Sequence, residues 1–121
     1  MISKEQIENI QKIEGYLDEK EGLLLYRLAT QLQDNAVTVE IGSFKGKSAV
    51  WTASGTLNSG KKGRVVAIDH GVGDPEAGIM DTKGAFLKNI EDNGVSELVE
   101  PIFMTSQDAI KNWHTPIDLL F

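Results

Sequence analysis

The residues best suited to chemistry lie in one short stretch, VTVEIGSFKGKSAV, at positions 37–50. Glu40, Gly42 and Gly46 form the pattern E-x-G-x-x-x-G at the end of an apolar run that is typical of a buried strand. A glycine directly after a strand lets the backbone turn sharply and lets a ligand approach it closely. The glutamate carboxylate favours a cationic ligand group and repels phosphate. We therefore expect this loop to bind a zwitterion with an amino-acid part.

Two nucleotide-binding motifs come close to this stretch without matching it. The phosphate loop needs a glycine five positions before the glycine of GKS, and Ile41 stands there. The dinucleotide motif G-x-G-x-x-G needs a second glycine at position 44, where the bulky Phe44 hinders the approach of a pyrophosphate. A nicotinamide-dependent oxidoreductase domain is therefore an alternative that both Phe44 and Glu40 disfavour.

Alternating helical and strand patterns predict the elements that position this loop. Residues 1–35 form a helical segment, which the region from Gly15 to Gly22 divides into two helices. Residues 36–121 alternate strands and helices, which predicts an α/β class with a Rossmann-like parallel sheet and helices on both faces. The predicted strands are 37–41, 64–69, 99–105 and 117–121, and the predicted helices between them are 47–57, 82–93 and 106–113.

Ligands of such sheets bind beyond the carboxyl ends of the strands. Asp69 ends the second strand, where a carboxylate can accept hydrogen bonds from both hydroxyls of a ribose, and His70 follows it. The segment 105–108 follows the third strand and offers short polar side chains that can hydrogen-bond an adenine edge. Ser106 is also the predicted N-cap of the following helix.

The motif VEIGSFKGKS resembles the first motif of the class I S-adenosylmethionine-dependent methyltransferases, in particular those that methylate oxygen atoms of small molecules. The resemblance runs from about Val37 to Phe121. It implies a cofactor site in which the loop after the first strand surrounds the methionine part, Asp69 holds the ribose and the segment after the third strand contacts adenine. The predicted cofactor-binding residues are Glu40, Gly42, Ser43, Phe44, Gly46, Ser48, Asp69, His70, Ser106, Gln107 and Asp108.

The resemblance also implies the strand order 3-2-1-4 and a fold that is truncated, because relatives have seven strands and four are predicted here. This chain then corresponds to the cofactor-binding part of an enzyme that methylates an oxygen of a small molecule or sugar. No catalytic residue and no metal ligand is predicted in it, although a divalent metal is compatible with the full-length protein. A non-catalytic α/β binding or assembly module is a further alternative.

The amino-acid composition limits the kinds of partner that this chain is expected to bind. The chain has 121 residues, no cysteine, a formal net charge of −6 and no block of basic residues, so nucleic acid is not an expected partner. No apolar run approaches the roughly 20 residues of a membrane span, and we expect a cytoplasmic protein. The fourth strand becomes an apolar sheet edge, which predicts a homodimer or higher oligomer formed through residues 117–121.

Overall fold

The computed structural model of the chain describes residues 1–79 and 81–121 in full, together with the backbone of Met80. The helices are α1 (Lys4–Gln11), α2 (Glu19–Thr30), α3 (Lys47–Asn58), α4 (Lys83–Asp92) and α5 (Ser106–Ala109). The strands are β1 (Ala36–Ile41), β2 (Gly63–Ile68), β3 (Gly73–Asp74), β4 (Ile79–Met80), β5 (Val99–Ile102) and β6 (Leu119–Leu120). Short 3₁₀ helices follow β3 and α5 at Pro75–Ala77 and Ile110–Asn112.

Four of these strands form one parallel sheet in the order β5-β2-β1-β6. Counted without the two-residue strands β3 and β4, this is the predicted order 3-2-1-4, and the Rossmann-like fold class is confirmed. β1 and β2 pair over their whole length, from Ala36 opposite Gly63 to Ile41 opposite Ile68. The residues that follow these two strands therefore emerge side by side at the carboxyl edge of the sheet.

The main core lies between one face of the sheet and helices α1–α4. Val65 and Ala67 of β2 point to this face and pack with Val50 and Trp51 of α3 and Phe86 of α4, all of them buried. The N-terminal helices contribute Ile10 and Leu25 to the same cluster. These residues alternate with Val66 and Ile68, which point to the opposite face, as the period of two in a strand requires.

The opposite face of the sheet has a thinner cover. Val39, Val66 and Ile68 pack there against Ala109 and Trp113, in and just after the short helical segment that connects β5 to β6. Helices thus lie on both faces, as predicted, but the second face keeps several exposed apolar side chains: Ile41, Ile110, Ile117 and Leu120.

Several predicted boundaries need correction. Thr105, and not Ser106, is the N-cap of α5, because its hydroxyl accepts the N–H of Asp108 at 3.2 Å. The break between α1 and α2 ends earlier than predicted because Asp18 caps α2, its carboxylate accepting the N–H of Glu21 at 2.8 Å. Gly22 therefore lies inside a helix. The β3–β4 hairpin lies between the predicted strand 64–69 and the predicted helix 82–93, where the sequence predicts no strand.

Among the residues described, none of the helices combines the length and the apolar character that a membrane span requires.

Gly22 of α2 packs directly against the side chain of Trp51 of α3. A Cβ built on Gly22 lies 2.2 Å from the indole ring of Trp51, which is fully buried. We expect Gly22→Ala to lower the free energy of unfolding by at least about 2 kcal/mol, measured by urea denaturation, because the ring has no free space to move into.

Gly84→Ala is the matched control. Gly84 also lies in a helix, but nothing stands within 4 Å of an added Cβ. This substitution is expected to stabilise the protein by ~0.5–1 kcal/mol, since alanine is the better helix former. Equal effects of the two substitutions would contradict the close packing of Gly22 on Trp51.

Candidate functional site

The loop between β1 and α3 has a backbone shape that depends on glycine. Gly42 and Gly46 have φ angles of 85° and 92°, in the left-handed region that side chains disfavour. The N–H of Gly42 donates to the carbonyl of Ile68 at 2.8 Å, and an added Cβ on Gly46 would lie 3.1 Å from the ring of Phe86. Phe44 also has a positive φ, 49°, which is uncommon for a residue with a bulky side chain.

Asp69 connects this loop to the loop after β2. Its Oδ2 accepts the N–H of Phe44 at 3.0 Å and its Oδ1 accepts the N–H of Gly71 at 2.7 Å. The side chain is 15% exposed, and carboxylate oxygens have about four acceptor sites between them. Asp69 can therefore hold both loops and still accept a hydrogen bond from a ligand hydroxyl.

Glu40 lies beneath the loop, on the α3 side of the sheet. Its side chain is 1% exposed, and its Oε1 accepts a hydrogen bond from the hydroxyl of Ser48 in the first turn of α3. Burial raises the pKa of Glu40 to about 7; the Ser48 hydrogen bond opposes this shift and the nearby Asp69 charge adds to it.

Two buried oxygen atoms at this point lack a hydrogen-bond partner among the described residues: Oε2 of Glu40 and Oγ of Ser43. A buried polar atom without a partner costs free energy, so such atoms mark places where a ligand donor or acceptor is favourable. The residues present therefore suit the ammonium and carboxylate groups of an amino-acid moiety.

A cavity of about 150 Å³ lies directly over the loop. Gly42, Ser43, Phe44 and Ser48 of the predicted site line it, together with Lys45, Lys47 and Phe121. Its remaining wall is the connection between α1 and α2, at residues 14–17, which no motif in the sequence indicated. The sequence offered one weak signal, the glycine that interrupts the helical pattern at position 15.

A second cavity, of about 350 Å³, lies on the thinly covered face of the sheet. Ser106 and Gln107 line it together with Trp113. It reaches Ile41 and Ile68, the residues directly before Gly42 and Asp69. Both cavities therefore adjoin the end of β1, and the second one also adjoins the end of β2, which Asp69 follows.

Asp108 and His70, two of the predicted cofactor-binding residues, form contacts with other residues of the chain. The carboxylate of Asp108 pairs with Lys111 at 2.8 Å. Nδ1 of His70 accepts the N–H of Val72 at 3.0 Å, and the ring is half-exposed. A ligand role for either residue stays a prediction. No cluster of three or more histidine, aspartate or glutamate side chains suited to a metal ion occurs among the described residues.

A parallel α/β sheet with a glycine loop after its first strand and an acidic residue after its second defines a Rossmann-like class of proteins, whose ligands bind at the carboxyl edge of the sheet. A family model described as a methyltransferase domain matches residues 39–121, which include the loop, Asp69 and the segment after β5. The chain therefore belongs to this methyltransferase-domain family.

Solved structures share the fold. Cofactor-bound Rv0187 from MTB superposes with a TM-score of 0.69 at 24% identity, covering 96% of this chain and 50% of that one. The O-methyltransferase TomG from Streptomyces achromogenes, in complex with SAM, gives 0.70 at 21% identity, covering 98% and 53%. The O-methyltransferase from Bacillus cereus, in complex with SAH, gives 0.71 at 19% identity, covering 99% and 54%. The chain spans about half the length of these proteins.

The buried carboxyl group of Glu40 predicts a characteristic dependence of stability on pH. Its pKa is about 7 in the folded protein against 4.5 for the ordinary side chain, so the folded state binds the proton more tightly than the unfolded state. The stabilisation from this proton is complete below pH 4.5 and is lost as the pH rises through 7. We expect Glu40→Gln to gain stability over the wild type as the pH rises, by up to ~3 kcal/mol at pH 8.

Urea denaturation of both proteins at pH 5 and pH 8 tests this expectation. Glu100→Gln, which removes a half-exposed carboxylate beside Arg64, is the control and should show no comparable gain. A difference between Glu40→Gln and wild type that is the same at both pH values would contradict the assignment.

Proposed function

We propose that this chain binds S-adenosylmethionine and forms the cofactor-binding portion of an enzyme that methylates an oxygen of a small molecule or sugar. The observation that carries this proposal is the methyltransferase-family match over residues 39–121, which coincides with the glycine loop above the buried Glu40. Structures of similar fold contain SAM or SAH, which supports the choice of cofactor.

The proposed cofactor lies across the carboxyl edge of the sheet. Its methionine part occupies the smaller cavity, which Ser43, with its unpartnered hydroxyl, and Ser48 line. Ser48 donates in turn to the buried Glu40, whose Oε2 is unpartnered among the described residues. The ribose hydroxyls donate to Asp69, and the adenine enters the larger cavity beside Ser106 and Gln107. When bound, S-adenosylmethionine supplies an electrophilic methyl group on a positively charged sulfur.

The proposed acceptor atom is an oxygen. Two proteins of similar fold are described as O-methyltransferases, which supports oxygen as the acceptor atom. Methyl transfer needs the acceptor oxygen aligned with the methyl group, and a hydroxyl acceptor needs a base. We assign no catalytic base to this chain, and a divalent metal in the full-length protein is compatible with the proposal.

Calorimetric titration with S-adenosylhomocysteine tests the cofactor site. We expect the wild-type chain to bind it and Asp69→Ala to lose at least tenfold in affinity. This substitution removes the ribose acceptor and also the group that holds Phe44 and Gly71 in place. NAD is the control ligand, because Phe44 stands where a dinucleotide site needs glycine.

Asp92→Ala is the matched control variant. Asp92 is an exposed aspartate that pairs with Lys88 on α4, outside both cavities, so its loss should leave binding unchanged. Failure of the folded wild-type chain to bind S-adenosylhomocysteine would count against the proposed cofactor site, and NAD binding of similar strength would favour the oxidoreductase alternative.

We also propose that β6 pairs with a second copy of this chain. Within the described part of the chain, no strand occupies the outer edge of β6, and Leu120 and Phe121 are exposed beside it. In the segment 117–121 the one charged side chain is that of Asp118, and its carboxylate accepts hydrogen bonds from Gln33 and Val37 of its own chain. The edge offered to a second copy is therefore mainly apolar despite the net charge of −6.

Multi-angle light scattering over a range of concentrations tests this pairing. We expect a dimer for the wild type and a shift towards monomer for Leu120→Lys, which places a charge on the strand edge. Leu24→Lys is the matched control, because Leu24 on α2 is 57% exposed and Leu120 is 58% exposed. A monomer at every concentration for the unsubstituted chain would contradict the proposal.

A further inference from the structure

The connection between α1 and α2 lies over the loop that follows β1. Residues 14–17, here named the interhelix loop, form one wall of the smaller cavity opposite Gly42 and Ser43. These residues are distant in sequence from the sheet, and of the four only Leu17 packs against the main core.

Three contacts join the interhelix loop to the loop after β1 and to Lys47, the first residue of α3. The ring of Tyr16 stacks on the ring of Phe44 with 5.9 Å between centroids and an interplanar angle of 29°. Glu14 forms an ion pair with Lys45, whose ammonium group also lies 5.3 Å from the centroid of the Phe44 ring. Gly15 lies against the aliphatic stem of Lys47, which a Cβ on Gly15 would contact at 3.4 Å.

Each of these contacts is weak. Tyr16 is 85% exposed although it stacks on Phe44, and the carboxylate of Glu14 is mostly exposed. Exposed aromatic pairs contribute little to stability individually, so Tyr16 can separate from Phe44 while Leu17, the last residue of the interhelix loop, stays packed against the core cluster that contains Ile10 and Leu25. A ligand that contacts this wall will favour the closed arrangement.

We propose that the interhelix loop closes over the amino-acid end of the bound cofactor, and that Tyr16 is a positioning residue that holds it closed through Phe44. The inference rests on the proposed function, because the ligand under the interhelix loop is the methionine part of the cofactor. Phe44 is well suited to this role, since Asp69 fixes its backbone N–H and its left-handed backbone conformation places its ring against Tyr16.

Substitutions of Tyr16 test the role of the ring. Calorimetric titration with S-adenosylhomocysteine should show that Tyr16→Ala weakens binding roughly three- to tenfold, the range that an aromatic pair supports. Tyr16→Phe keeps the stacked ring and removes the hydroxyl, so it should bind within about twofold of wild type. Thermal melting should be similar for all three proteins, because Tyr16 is exposed.

Hydrogen exchange gives a readout that a purely structural role would not change. Addition of S-adenosylhomocysteine should protect the amides of residues 14–17 in the wild type and in Tyr16→Phe, and protect them less in Tyr16→Ala. If the wild type binds without this protection, or if wild type and Tyr16→Ala bind equally well, the proposed role of the interhelix loop is wrong. The proposed cofactor site would not be affected by either result. Equal weakening by both substitutions would overturn the stacking role. Failure of wild type to bind would overturn the proposed cofactor site as well.

Discussion

The carboxylate of Asp69 is the group on which the shape of the candidate site depends. It accepts backbone N–H groups from Phe44 and Gly71, and so joins the loop after β1 to the loop after β2. Phe44 and Asp69 are separated by 25 positions, yet the parallel register that pairs Ile41 with Ile68 brings their loops together. A hydrogen bond to a carboxylate is stronger than one between neutral groups, which offsets the cost of the positive φ angle at Phe44.

Glu40 and Asp69 are neighbouring carboxyl groups in opposite environments. Asp69 accepts two backbone N–H groups, whereas Glu40 is buried with one hydroxyl donor and a pKa raised to about 7. Under the proposed function, the positive charge of the cofactor near this pair favours the ionised form of Glu40. Burial of the ionised Glu40 carboxylate lowers the stability of the folded protein, and a cationic ligand beside it offsets that cost. Residues at functional sites commonly favour binding at the expense of stability in this way.

The sequence was sufficient for the sheet because its strands depend on local patterns, and the site predicted at its edge stays a prediction. Buried parallel strands are continuous apolar runs, and the residues after them must lie at the carboxyl edge, which located Gly42 and Asp69. Contacts between distant segments leave no such pattern, so the stacking of Tyr16 on Phe44 was not predicted. The N-cap of α5 was misplaced because Thr105 and Ser106 can both act as caps, and the two-residue strands of the β3–β4 hairpin are too short to show a period.

The two cavities rest on parts of the fold that differ in packing. The smaller one lies at the loop that leads into α3, and α3 packs in the main core through Trp51, beside Phe86 of α4. The larger one lies on the face that α5 and its 3₁₀ extension cover thinly, where Ile110 remains exposed. Local opening is easiest where few apolar contacts hold an element, so the wall that carries Ser106 and Gln107 should move more readily than the glycine loop. Under the proposed function, the methionine end of the cofactor therefore meets a preformed glycine loop on which the interhelix loop closes, and the adenine end meets a surface that adjusts to it.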